Sequence, residues 1–265
     1  MPALYIRPTV RKRLGRLTSY AVGVAVIAFV AFSADWPRLG REFADTEVMA
    51  SIWPQIATLA LRNTLLFTFI SFVGGSLLGV LLAVLKVAGG PLGWFAVAFI
   101  EFFRGVPALL TLFGAAFIVP IAFGARIPGG SLGAGILGLI LVTGAYSAEI
   151  IRAGIEAVSP GQSEAARSLG MTGGQTTTWI VLPQAFRIVI PPMTNEFIML
   201  LKDTSLLFIV GLSAPERELV TFSKDALSTY ANATPLIISA LLYLAVTLPM
   251  AWLVGLLEKK LDPKR

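Results

Sequence analysis

The residues able to do chemistry are few and sit in apolar surroundings. One hydrophobic stretch carries Asn195, Glu196, Lys202, Asp203 and Ser205; two others carry Glu101 with Arg104 and Glu149 with Arg152. Charged groups are costly in a bilayer core, so each is a functional candidate by default. A solute carrying both signs of charge needs a cationic partner and an anionic or carbonyl one, and the stretch 195–205 offers both. Lys202 and Asp203 are adjacent, about 100° apart on a helix, so both cannot squarely face one narrow lumen. Pairing with other helices, to hold a bundle together, is the competing reading of these two. The spacing of three in Glu101/Arg104 and Glu149/Arg152 predicts local ion pairs near the cytoplasmic boundary, structural or gating. Asn195 follows Pro191-Pro192, where a broken helix would expose backbone groups to a cavity. The chain has no Cys and no His. Disulfide, thiol, zinc and Ser-His-Asp chemistries therefore lose their usual groups, and no metal site is expected.

The elements that must position these residues are membrane spans. Of 265 residues, 56% are hydrophobic and 14% charged, with mean hydropathy +0.80; soluble domains carry about 25% charged residues. This excludes a soluble, disordered or collagen-like protein. Apolar runs predict six helices at Leu17–Ala34, Thr64–Leu85, Leu92–Phe123 (interrupted by Pro107), Ser131–Ile151, Ile188–Leu212 and Pro235–Leu257. Lys202 and Asp203 then lie mid-span. The first run is read as an uncleaved helix, since Asp35-Trp36-Pro37-Arg38 follows it rather than small residues. With the N-terminus inside, Arg7, Arg11, Lys12, Arg13, Arg16, Lys86, Arg152, Arg167, Arg187, Lys259, Lys260, Lys264 and Arg265 are internal. Arg38, Arg41, Arg62, Arg126, Arg217 and Lys224 are external, six against thirteen. That asymmetry places both termini in the cytoplasm, and the net charge of +6 belongs to topology rather than to nucleic acid. Gly74, Gly75 and Gly79 have the small-residue spacing of helix contacts.

The long segment 152–186 is then cytoplasmic. Ser159 and Gln162 have capping-box spacing with Pro160 at the first helical position, and Gly170 is placed to end a helix over 160–169. Thr172 and Gln175 repeat the spacing, starting a second short helix that Pro183 closes. Two short capped helices suit docking into a partner's groove; a helical loop packed on its own protein fits equally well on physical grounds.

Glu164-Ala165-Ala166, three residues, Gly170, nine residues, Ile180, one residue, Leu182-Pro183 resembles the EAA loop of ATP-binding-cassette importer permeases. Glu101-Phe102-Phe103-Arg104-Gly105-Val106-Pro107, Tyr146-Ser147-Ala148-Glu149-Ile150-Ile151-Arg152 and Leu200-Leu201-Lys202-Asp203-Thr204-Ser205-Leu206 resemble the polar amino acid (histidine/glutamine/arginine) branch. The likeness covers about 60–257. It implies an all-α integral membrane protein with the type I importer permease fold, about six transmembrane helices and a cytoplasmic coupling helix. The chain divides into 1–59 (basic leader, extra first helix, outer segment), a permease core 60–257 with its EAA loop at 156–186, and the tail 258–265. Many members of the branch lack the extra first helix, and Gly-Val-Pro at 105–107 replaces the more usual Gly-Thr-Pro.

The implied function is the translocation subunit of a binding-protein-dependent amino acid importer in a bacterial inner membrane. Its partners would be two ATPase subunits, a second permease chain, identical or homologous, an extracytoplasmic amino acid binding protein and membrane lipid. Glu164, Ala165, Ala166, Arg167 and Gly170 would couple to the ATPase; Asn195, Glu196, Lys202, Asp203 and Ser205 would be pathway candidates. The chain has no phosphate-cradling Gly-x-x-x-x-Gly-Lys-Ser/Thr segment. It is thus read as no enzyme and as holding no cofactor, with ATP and Mg on the partner. The alternative is an ion-coupled secondary transporter of small zwitterions.

Overall fold

The computed structural model describes residues 8–124 and 127–261, and side chains from residue 15 onward. Arg7, Arg126, Lys264 and Arg265, used in the orientation count, lie outside the described residues, as do the side chains of Arg11, Lys12 and Arg13. The described residues are all-helical, with no strand among them. In order the helices are α1 (Pro8–Ser33), α2 (Trp36–Phe43), α3 (Thr46–Gln55), α4 (Leu61–Ala88), α5 (Gly90–Gly105), α6 (Ala108–Phe113) and α7 (Val119–Phe123). There follow α8 (Gly130–Glu156), α9 (Pro160–Ser168), α10 (Gly173–Thr176), α11 (Leu182–Asp203), α12 (Leu219–Tyr230) and α13 (Thr234–Leu261). Single π turns at Ile56–Ala60, Gly114–Ile118 and Thr177–Val181 splice α3 to α4, α6 to α7 and α10 to α11 without a break.

Among the described residues, four helical runs are long and apolar enough to cross a membrane: Gly15–Ser33, Trp36–Ala88, Gly130–Glu156 and Thr234–Leu261. The bent pair Gly90–Gly105 and Ala108–Phe123 makes a fifth. α11, at 22 residues, is long enough to be the sixth, though its charges and prolines make it less apolar than the others. It packs within the bundle against α8, α13 and α4.

The centre of the bundle is the α4–α8 contact. A Cβ at Gly75 would stand 2.7 Å from Thr143 Cβ, and one at Gly79 only 2.6 Å from Ser147 Cβ. Gly144 meets Leu78 in the same way from the opposite side. Small residues let the two backbones approach where lipid supplies no hydrophobic drive between helices. α5 closes over this pair through Leu82, Ala96, Ile100 and Ala148. Toward the α12 end, Phe67, Leu112, Leu139, Leu200, Leu207 and Val210 form a second core.

Several expectations need correcting. The third span does break at Pro107, as its sequence implies, but the break is a bend of 110° across Val106-Pro107, because Val106 is held extended before proline. Lys202 and Asp203 close the α-helical part of the expected span 188–212, and a 3₁₀ segment, Thr204–Val210, follows directly. α11 runs unbroken through Pro191 and Pro192; lost proline N–H bonds leave carbonyls unpaired without interrupting the helix. Pro183 does not close the second cytoplasmic helix. It stands at the start of α11, directly after the π turn Thr177–Val181 through which the helix continues.

The expected division at 59/60 falls inside a continuous helical run. Ile52, Ile56 and Ala60 share one buried cluster with Leu219, Phe222, Ala226 and Ile238. The outer segment is also stitched to the α12–α13 turn. Asn232 Nδ2 donates to the Arg41 carbonyl (2.7 Å), the Ala233 N–H to that of Glu42 (2.8 Å), and the Asp45 N–H to Thr234 Oγ1 (2.9 Å). No residue of Gly15–Ser33 is buried, so α1 stands clear of the bundle.

Candidate functional site

Two regions collect the candidate residues. The first is a cavity of about 320 Å³ lined by the α5 end (Arg104, Gly105), the bend (Val106, Pro107), Val142 and Tyr146 of α8, and Glu196, Met199 and Asp203 of α11. Its volume is at the low end of the roughly 300–1,000 Å³ of small-molecule sites. The bend borders it: Gly105, Val106 and Pro107 line it, while the two arms pack on α8 on either side, Ile100 with Ala148 and Leu112 with Gly138. Glu196 and Asp203 are seven apart, two turns of one helix, and so share a face. Lys202, 100° round, is exposed and lines no part of the cavity; Asn195 and Ser205 do not line it either. Arg104 makes no ion pair with Glu101; its guanidinium lies 5.7 Å over the Tyr146 ring, a cation–π contact. The bend turns Arg104 toward α8 and off the local partner its spacing offered. Tyr146 and Met199 are lining residues that the charge-based reading missed. Tyr146 had a signal: a phenol in a Gly- and Ala-rich span.

The second region is the α9–α11 face. Here the local chemistry is as expected at one end and not at the other. Gly170 adopts φ +88°, and the Met171 N–H donates to Ala166 O (3.2 Å) while the Gly170 N–H donates to Arg167 O (3.0 Å). This is a full Schellman cap. Thr172 and Gln175 form their reciprocal capping box. Ser159 does not cap α9 with its side chain; its carbonyl instead takes the Gln162 N–H at 3.0 Å. Pro160 removes one orphan donor there, so little is left for a side chain to satisfy. Ala166 is buried, whereas Glu164, Ala165 and Arg167 are exposed. Gln184 Nε2 reaches Gln162 Oε1 (3.3 Å), tying α9 to α11. Leu169 and Trp179, 86% and 71% exposed, leave an apolar surface beside them.

A charge cluster joins the two regions. Glu149 accepts from Arg152 Nε at 3.0 Å and from Lys86 Nζ at 3.1 Å, and Arg152 also pairs with Glu156. The expected Glu149–Arg152 pair is therefore the middle of a four-residue network that ties the α4 end to α8. Val158, Val181, Ala185 and Ile155 pack just beyond it. Among the described residues no group of His, Cys, Asp or Glu could hold a metal ion.

Residues 75–263 match the family described as binding-protein-dependent transport system inner membrane component. The chain belongs to that family. This membership favours the importer reading over an ion-coupled carrier and makes the chain a multi-pass inner membrane permease. The chain is 42% identical over 203 residues to the probable glutamine ABC transporter permease protein GlnM of Bacillus subtilis (strain 168), covering 76% of this chain and 90% of that one. It is 35% identical to the arginine transport system permease protein ArtQ of the same organism, covering 78% and 94%. Among solved structures, an amino acid ABC transporter crystallised with histidines matches with a TM-score of 0.73 and 36% identity, over 80% of this chain and 96% of that one.

Proposed function

We propose that this chain is the translocation subunit of an ATP-driven importer carrying a polar amino acid across the inner membrane. The observation that carries the reading is the cavity, whose lining brings Arg104 of α5 together with Glu196 and Asp203 of α11 among mostly apolar residues. Charged groups in such surroundings need partners, and a zwitterion supplies one of each sign. The relatives named as glutamine and arginine permeases support an amino acid as cargo. Asn195, Lys202 and Ser205 fall outside the cavity and are assigned to the helix exterior or to a partner chain.

Both termini lie in the cytoplasm, which puts α9 on the ATPase side. Its exposed Glu164, Ala165 and Arg167, with buried Ala166 and the Gly170 cap holding the helix end, dock in a cleft of one of two ATPase subunits. ATP and Mg are held by those subunits, and hydrolysis happens there. A second permease chain, identical or homologous, completes the pathway, and an extracytoplasmic binding protein delivers the amino acid. Closure of the ATPase pair moves α9. Its tie through Gln184 to α11, and its short link to α8, pass that movement to the helices that line the cavity. The Lys86–Glu149–Arg152–Glu156 network keeps the α4 and α8 ends together as they move. Such a device is two packed arrangements biased by a partner.

The test is a tagged pull-down from detergent-solubilised native membranes, run beside a correctly inserted variant carrying Glu164→Arg and Gly170→Trp. A nucleotide-binding ATPase that comes down with the natural chain and is lost from the variant supports the reading. If no ATPase is retained under conditions that preserve membrane complexes, the reading is wrong.

A further inference from the structure

A second cavity, of about 480 Å³, lies between the end of α1 and the α12–α13 turn. Asp35, Arg38 and Glu42 line it together with Ala34, Leu39 and Phe43, and Ala233 closes its far side. Its depth in the membrane follows from the spans around it. Gly15–Ser33 ends one residue before Ala34, and Thr234–Leu261 begins one residue after Ala233. Both walls therefore stand where hydrocarbon gives way to headgroups, in the leaflet away from the chain termini. Trp36 marks the same level, as tryptophan does at bilayer interfaces. Its Nε1 donates to Ala31 O at 2.8 Å, folding the indole back on the last turns of α1. α2 starts beside α1, and its last turn is tied to the start of α13 through the Arg41 and Glu42 carbonyls. The helix thus runs along the headgroup level, and a soluble partner would reach the cavity only by entering that layer.

The charges in the lining are unspent. Arg38 and Glu42 are one helical turn apart, the spacing at which opposite charges pair, yet neither makes an ion pair with any described residue. Asp35 uses Oδ1 to cap α2, accepting from the Arg38 N–H at 3.0 Å. One guanidinium and two carboxylates thus border a space whose other walls are apolar. The group that satisfies them carries an anion with paired oxygens for the guanidinium fork and, beside it, a cation with N–H donors. It also carries hydrocarbon, which suits Leu39, Phe43 and the outward side chains of α1, among them Phe32 at 91% exposed. A phosphoethanolamine headgroup on its acyl chains has all three parts in that order. Phosphatidylglycerol has no ammonium and would leave both carboxylates unpaired. Phosphatidylcholine has methyl groups where the N–H donors are needed.

We propose that the cavity between α1, α2 and the α12–α13 turn is a binding site for a phosphatidylethanolamine lipid, with Arg38 taking the phosphate and Asp35 and Glu42 the ammonium. The lipid fills the gap between the separate first helix and the bundle. The test is native mass spectrometry of the puried chain in detergent, titrated in turn with dioleoyl phosphatidylethanolamine, phosphatidylcholine and phosphatidylglycerol. The natural chain should bind the ethanolamine lipid about fivefold more tightly than either other, the upper range for a solvent-accessible charge pair. Arg38→Gln should weaken all three, since all carry the phosphate. Asp35→Asn with Glu42→Gln should bring the ethanolamine lipid down to the choline one; asparagine caps a helix as aspartate does, so α2 keeps its start. Arg41→Gln, on the same helix but outside the lining, should change nothing. Equal binding of the three lipids by the natural chain overturns the proposal, and this comparison needs no variant to fold. An ethanolamine preference that survives both the Arg38→Gln and the paired acid substitutions belongs to another surface and overturns this site. Soluble glycerophosphoethanolamine binding as tightly as the lipid overturns the role of the apolar walls. Lipid binding untouched by Arg38→Gln, with loss instead of a soluble extracytoplasmic protein from the chain, gives the cavity to that protein and overturns the lipid.

Discussion

Replacing Gly170 with alanine perturbs the coupling helix through one backbone torsion and nothing else. Gly170 holds φ +88°, and a Cβ built there meets no atom within 4 Å. The cost is therefore conformational, about 1–2 kcal/mol for an L-residue in the left-handed region. Gly173 and Gly174 make the control. A Cβ at either also meets nothing within 4 Å, and neither has a positive φ. Both lie in the first turn of α10, where alanine is favoured over glycine by roughly 0.5–1 kcal/mol. Three neighbouring glycines thus respond to one substitution with opposite signs. In the proposed complex α9 docks only with its capped end formed. Strain of 1–2 kcal/mol then weakens ATPase binding by a factor of about 5–30. The assay is titration of the purified ATPase onto the permease in nanodiscs, with ATP-driven uptake measured alongside. Gly170→Ala should lose affinity within that range, and Gly173→Ala and Gly174→Ala should lose none. Unchanged affinity in Gly170→Ala, or equal losses in all three, would refute the link between the Schellman cap and docking.

Three further outcomes are expected. Gly79→Ala places a methyl 2.6 Å from Ser147 Cβ and 3.0 Å from the Ala148 backbone nitrogen, which cannot yield by rotating. It should destabilise by about 1–3 kcal/mol, whereas Gly255→Ala, with open space around it, should be neutral or stabilising; thermal unfolding in detergent compares them. Glu149→Gln removes the anion shared by Lys86 and Arg152, each about a quarter exposed. It should lower stability by about 1–2 kcal/mol, with the deficit shrinking when Lys86→Met is added; a deficit that Lys86→Met leaves unchanged would show the network to be incidental. Glu218, fully buried outside the spans, caps α12 by accepting from the Val220 and Thr221 N–H groups, and burial pushes its carboxyl up despite those bonds. A raised carboxyl contributes stability that is complete below its ordinary value of 4.5 and lost as pH climbs through the folded-state value. The natural chain should therefore lose thermal stability relative to Glu218→Gln as pH rises above 4.5, and parallel curves would sink this account.

Sequence alone determined whatever acts over one or two turns or depends on total apolarity. The Gly170 cap, the Thr172–Gln175 box, the Glu149–Arg152 pair and the small-residue stripe on α4 are all of this kind. Their partners are chain neighbours, or, for the stripe, the absence of a side chain. The tertiary structure decided which way each helix faces. A 100° step between Lys202 and Asp203 follows from helical geometry, but packing against α8 made Asp203 the inward one. Likewise Arg104 had Glu101 within reach, yet the 110° bend at Pro107 turned it onto Tyr146, 42 positions away. Lys86 met Glu149 across 63 residues because Gly75 and Gly79 let α4 and α8 come close. Helix rotation and bend angle depend on the summed packing of several distant segments, and no short window of residues contains that sum. The cavity arises there: the acids of α11 were legible as candidates, but their joining with Met199, Arg104 and Tyr146 in one lining was decided only by the fold.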